Sequence, residues 1–118
     1  MSIRILVVED EPLLAFDIAQ HLTSSGYEVV GPASTVARAL ELIASQGCDI
    51  AVLDINLGHE TAEPIAAVLT GRGAPFFTVT GYSRDQHPPA FQGVPSLTKP
   101  IAPEDLLALV RRLSPGAA

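Results

Sequence analysis

Short apolar runs separated by polar breaks recur along the chain, and their spacing separates strands from helices. Residues 3–8 are apolar except for Arg4, and Glu9, Asp10, Glu11 and Pro12 follow at once. Residues 48–53 predict another strand, whose four consecutive apolar residues 50–53 deliver Asp54 to its end. Apolar runs of this length suit strands buried on both faces, as in the middle of a parallel sheet. Residues 27–30, closed by Gly31-Pro32, residues 75–80, ended by Gly81, and residues 94–98, before Lys99-Pro100, predict three more strands. Between the strands the apolar spacing turns helical. Leu14, Ile18 and Leu22 make one stripe, stopping near Ser24-Ser25-Gly26; Val36, Leu40 and Ile43 make a second, capped by Ser34-Thr35 and ending at Gly47. A third helix runs from about Ala62 through Ile65, Val68 and Leu69 to Gly71, with Pro64 confined to its first turn. The last begins at Pro103-Glu104-Asp105, turns Leu106, Leu109, Val110 and Leu113 inward, and closes with Arg111-Arg112 at its negative end. The segment with His87-Pro88-Pro89 and Gly93 leaves room for only a turn or two.

Strands alternating with helices call for a doubly wound α/β fold: a five-stranded parallel sheet in the flavodoxin-like order 2-1-3-4-5, helices on both faces, the fourth helix short or irregular. A length of 118 residues fits one domain over 1–118, and the tail after Leu113 reads as frayed, with no linker to an output domain. The 47% hydrophobic content argues against disorder, while the apolar runs fall far short of the ~20 residues of a membrane helix. The first run is a strand and not a signal peptide, because no longer apolar region or small-residue cleavage site follows. A single cysteine, Cys48, excludes an internal disulfide, suits a reducing, cytoplasmic setting and reads as a small core residue. A net charge of −6 without a basic cluster argues against nucleic acid or an anionic membrane as partner.

The strand ends carry the candidate chemistry: Glu9 and Asp10 after the first strand, Asp54 after the third, Thr80 after the fourth and Lys99 after the fifth. Each has an ordinary explanation alone, as a helix start, a turn, a β-branched strand residue or a solvated charge. Together they share the edge where parallel sheets collect ligands. Three acids brought together raise one another's pKa, and a divalent cation removes that penalty. Oxygen-only ligands favour magnesium. The three histidines, His21, His59 and His87, are scattered and read as surface residues. A hydroxyl and an ammonium beside the acids complement an oxyanion, which points to phosphoryl transfer onto a carboxylate, with Asp54 the best placed nucleophile. A phosphohydrolase using Asp54 would need a second acid two residues later, and that position is Asn56.

Residues 3–113 resemble the receiver domain of two-component response regulators. The resemblance lies in Val7-Val8-Glu9-Asp10-Glu11-Pro12, Val52-Leu53-Asp54-Ile55-Asn56, Thr80-Gly81 and Lys99-Pro100. It implies that Asp54 accepts phosphate from a histidine kinase or phosphotransfer protein, and that Glu9, Asp10, Asp54 and the backbone carbonyl of Asn56 hold Mg2+. It also implies that Thr80 is the switch hydroxyl, that Lys99 is the phosphate partner, that the Lys99-Pro100 peptide is cis, and that partners dock on the first helix and the loop after the fifth strand. One departure stands out: Ser96 occupies the place of the usual switch aromatic. Tyr82 offers an aromatic from another strand end, and Thr78-Val79-Thr80-Gly81-Tyr82 resembles the Phe-Ala-Thr-Gly-Tyr signature of single-domain alphaproteobacterial receivers, differing at two positions. The expectation is a stand-alone phosphoacceptor, not an enzyme beyond catalysing its own phosphorylation and dephosphorylation. It would act by docking to a downstream protein as a monomer or weak dimer. The competing reading is a non-phosphorylated, receiver-like interaction module.

Overall fold

Alternating side chains along the central strands feed two separate cores, one on each face of the sheet. The structure, a computed structural model, describes residues 2–81 and 87–115. In β1 (Arg4–Val8), Ile5 and Val7 join one apolar cluster, while Leu6 and Val8 join the other. All five residues of β3 (Ile50–Asp54) are buried; Ile50 and Val52 point to one side, Ala51 and Leu53 to the other. A strand apolar on both faces is stable only between two helical layers. One layer is α1 (Pro12–Ser24) with α4 (Pro103–Leu113), which contribute Ile18, Leu22, Leu106, Leu109 and Val110. The other is α2 (Val36–Ser45) with α3 (Glu63–Arg72), contributing Ala39, Leu42, Ile43, Ile65, Ala66 and Leu69. Each fully buried Leu, Ile or Val stabilises the fold by about 1.5–3 kcal/mol.

With β2 (Glu28–Ala33), β6 (Phe76–Thr80) and β7 (Ser96–Thr98), the main sheet runs β2-β1-β3-β6-β7, every pair parallel. This is the expected order, counting only strands of the main sheet. Helix starts follow the sequence cues: Thr35 Oγ1 accepts from the Arg38 N–H at 3.1 Å, and Pro12, Pro64 and Pro103 sit in first turns. No helix among the described residues is long and apolar enough to cross a membrane.

Several expectations need correction. β2 does not stop at Gly31-Pro32 but continues to Ala33, with a register shift opposite Leu6 and Val8. β2 is an edge strand, where a proline without an N–H is tolerated. The Gly31-Pro32 and Lys99-Pro100 peptides are both cis, the second as expected. The polar stretch after Asp54 is not a plain loop: β4 (Asn56–Leu57) and β5 (Glu60–Thr61) pair as a small antiparallel hairpin. The inward face of α2 is Val36, Ala39, Leu42 and Ile43, with Leu40 only half-buried, and in α3 Val68 is exposed. Cys48 is half-buried at the rim of the α2–α3 core. Between β6 and β7 the described residues hold a single 3-10 turn, Pro89–Phe91, as the adjacent prolines require. Its Phe91 is anchored in the α2–α3 core, and His87, expected on the surface, is 6% exposed with no hydrogen-bond partner for Nε2. Spacing along the sequence cannot reveal burial that only neighbours in the folded chain decide. Tyr82 lies outside the described residues.

Candidate functional site

Sheet register brings the strand-end residues together. β1 and β3 are neighbours with Val8 opposite Leu53, so Glu9 and Asp10 leave the sheet beside Asp54. β6 flanks β3 with Val79 opposite Asp54, which puts Thr80 one step beyond. β7 flanks β6 with Thr98 opposite Thr80, and the Lys99 N–H donates to the Thr80 carbonyl at 2.9 Å. All five predicted side chains therefore meet at one edge, in a pocket lined by Asp10, Asp54, Asn56, Thr80 and Lys99, with buried Glu9 behind.

The Lys99 ammonium is the hub. Its Nζ lies 3.1 Å from Asp54 Oδ2, 3.3 Å from Glu11 Oε1 and 3.4 Å from Glu9 Oε1. Burial alone would lower the Lys99 pKa, but the hydrogen bond and charge of Asp54, then Glu9 and Glu11, outweigh it and raise it. Lys99 is thus a fixed cation. Backbone donors hold the acids: Asn56 N–H to Asp54 Oδ1 at 3.2 Å, Glu11 N–H to Glu9 Oε2 at 3.1 Å, and Gly58 N–H to Asp10 Oδ2 at 2.9 Å. Sequence reasoning missed two of these parts. Glu11 reads as a helix-start acid, and Gly58 reads as a loop residue; only the fold puts them against Lys99 and Asp10.

Burial first, and then the Asp54 carboxylate beside it, pushes Glu9 up to about 8, against the pull of the Glu11 N–H and Lys99. Its Oε1 is buried without a hydrogen-bond partner. Glu9, Asp10 and Asp54 each offer a carboxylate oxygen, all within 4.8 Å of one another. A buried oxygen that has no hydrogen bond and only the 3.4 Å ion pair with Lys99, beside two further carboxylates, fits a hard divalent cation, which takes oxygen ligands.

Comparison with known proteins agrees with this geometry. The profile of the response regulator receiver domain matches residues 5–111. The chain belongs to the receiver family of two-component systems. Among curated relatives, it is 34% identical over 85 residues to the transcriptional regulatory protein PdtaR of Mycobacterium tuberculosis, covering 69% of the chain and 40% of PdtaR. It is 32% identical over 118 residues to the response regulator MprA of the same organism, covering 96% of the chain and 51% of MprA. The receiver therefore spans about half or less of the length of these relatives. Among solved structures, SdrG from Sphingomonas melonis Fr1 is 37% identical with a TM-score of 0.82, covering 95% of this chain and 96% of SdrG. A response regulator from Burkholderia pseudomallei, solved with a phosphorylated aspartic acid and a calcium ion, is 26% identical with a TM-score of 0.80, covering 91% and 65%. Where receivers usually carry an aromatic, Ser96 of this one is half-buried and pairs in register with Thr78, whose Oγ1 is buried without a hydrogen-bond partner.

Proposed function

We propose that this receiver accepts a phosphoryl group on Asp54 from a histidine kinase or phosphotransfer protein and passes the signal on by docking to another protein. One observation carries the reading: Lys99 Nζ stands 3.1 Å from Asp54 Oδ2 at the strand edge where Glu9, Asp10 and Asp54 converge. Glu9, Asp10, Asp54 and the Asn56 carbonyl would hold magnesium, which when bound neutralises charge on the acids and on phosphoryl oxygens. An Asp54 Oδ bonds to phosphorus as the phosphorus–nitrogen bond of the donor phosphohistidine breaks and its electron pair leaves on the imidazole, while Lys99 neutralises a phosphoryl oxygen and the Thr80 hydroxyl donates to another. Positioning and electrostatics supply most of the rate. The phosphorylated aspartate of the Burkholderia relative supports this assignment.

The finer placement, among single-domain receivers of the Phe-Ala-Thr-Gly-Tyr type, is supported by Thr80-Gly81-Tyr82 and by Ser96 in place of the usual aromatic. In this reading Thr80 and Tyr82 carry the switch.

The test is intact mass after incubation with magnesium and acetyl phosphate, comparing the parent with Asp54→Asn. The expected result is one phosphoryl adduct that requires magnesium, is removed by hydroxylamine and is absent from the variant. An adduct persisting in Asp54→Asn would move the acceptor elsewhere. No adduct in the parent, even with phosphorylated histidine kinases as donors, would overturn the proposal.

A further inference from the structure

Lys99 is shared among three carboxylates, and they are not equivalent. Asp54 and Glu9 have side chains only 7% and 1% exposed, so burial keeps them where they are. Glu11 is 63% exposed at the rim, and its contact with Lys99 spans 88 positions of sequence. Its backbone is anchored, because its carbonyl accepts the Ala15 N–H at 2.9 Å. Its side chain is not: Glu11 is the N-cap of α1, in extended conformation, with no side-chain capping bond. The third ligand of the ammonium is therefore an anion free to swing into solvent.

Resting on the phosphoacceptor reading, we infer that Glu11 is a positioning residue, an electrostatic latch that shares Lys99 with Asp54 in the unphosphorylated pocket and slows phosphoryl acceptance from small anionic donors. In that step an Asp54 oxygen forms a bond to the phosphorus of acetyl phosphate; the bond from phosphorus to the acetyl oxygen breaks, and its electron pair leaves on acetate. The incoming phosphoryl group needs an N–H of Lys99 that Glu11 occupies. Once the phosphoryl group is on Asp54, its own charge repels Glu11 and the latch stands open. The latch therefore acts on acceptance and not on hydrolysis. Exposed ion pairs are weak, so the latch tunes the rate by about two- to fivefold and does not block it.

The experiment follows the adduct by intact mass with acetyl phosphate and magnesium in the parent, Glu11→Gln and Glu11→Asp, then its loss after donor removal. Gln keeps the shape and removes the charge. Asp keeps the charge but is shorter, and at an N-cap it turns to the helix N–H groups, away from Lys99. The latch predicts that both variants label about two- to fivefold faster than the parent, with unchanged rates of adduct loss. Glu11→Gln labelling no faster than the parent would overturn it. Glu11→Asp matching the parent while Gln is faster would also overturn it, leaving charge at the pocket mouth as the cause. An equal acceleration of adduct loss would overturn it too. If the parent forms no adduct, the phosphoacceptor reading itself fails and the latch falls with it; an adduct in the parent with no effect of Glu11 leaves that reading standing.

Discussion

At Glu9 a carboxylate only 2% exposed sits beside Asp54, and its pKa is pushed to about 8 from the ordinary 4.5. The folded chain therefore binds a proton across that window that the unfolded chain has released. A raised acid in the fold means stability that is complete below the unfolded value and lost as pH rises through the folded one. Without divalent cation, the melting temperature should fall between about pH 5 and pH 8, and Glu9→Gln should flatten that slope; a parent profile flat over this range in a chelator would contradict it. Asp54 and Lys99 were legible in the sequence because each follows or closes a predicted strand, and strand ends are where parallel sheets put chemistry. Glu11 was not, because an acid before Pro12 looks the same whether it serves the helix or a lysine 88 residues away.

Among elements, β2 shows how a punctuation signal is overridden. Gly31-Pro32 reads as a stop, yet the strand passes through it, since an edge strand can lose a donor and Ala33 still accepts the Glu9 N–H at 2.9 Å. Gly31 makes that passage possible. Its φ is +93°, and a Cβ there would lie 2.8 Å from Ala33 N and 3.2 Å from Val7 O. Gly26 has a similar φ of +92° but open space around it. Gly26→Ala should cost about 1–3 kcal/mol from backbone strain alone, and Gly31→Ala more, because backbone atoms must also move. Chemical denaturation of both variants measures the difference; equal losses would mean that the close approach carries no energy. The hairpin of β4 and β5 was invisible for a related reason. Two-residue strands have no period to read, and pairing across a turn is settled by the loop's neighbours.

For the whole molecule, the proposed magnesium site couples folding to ligand. A cation that binds the folded pocket stabilises it by about 1.4 kcal/mol at ten times its Kd, or about 4–8 °C in melting temperature for a chain of this size. Magnesium at pH 8 should raise the midpoint by that order, and Asp10→Asn should remove at least half of the gain. An unchanged midpoint at saturating magnesium would count against the site. By itself the sequence determined the five main strands, the helices on both faces, the receiver family and the five strand-end residues, because burial on two faces and helical spacing are local patterns. Tertiary structure alone decided which acid shares Lys99, which backbone N–H groups hold the carboxylates, and that His87 is buried. Those outcomes depend on distances between residues far apart in the chain, set by strand register and by packing between elements, which no local pattern encodes.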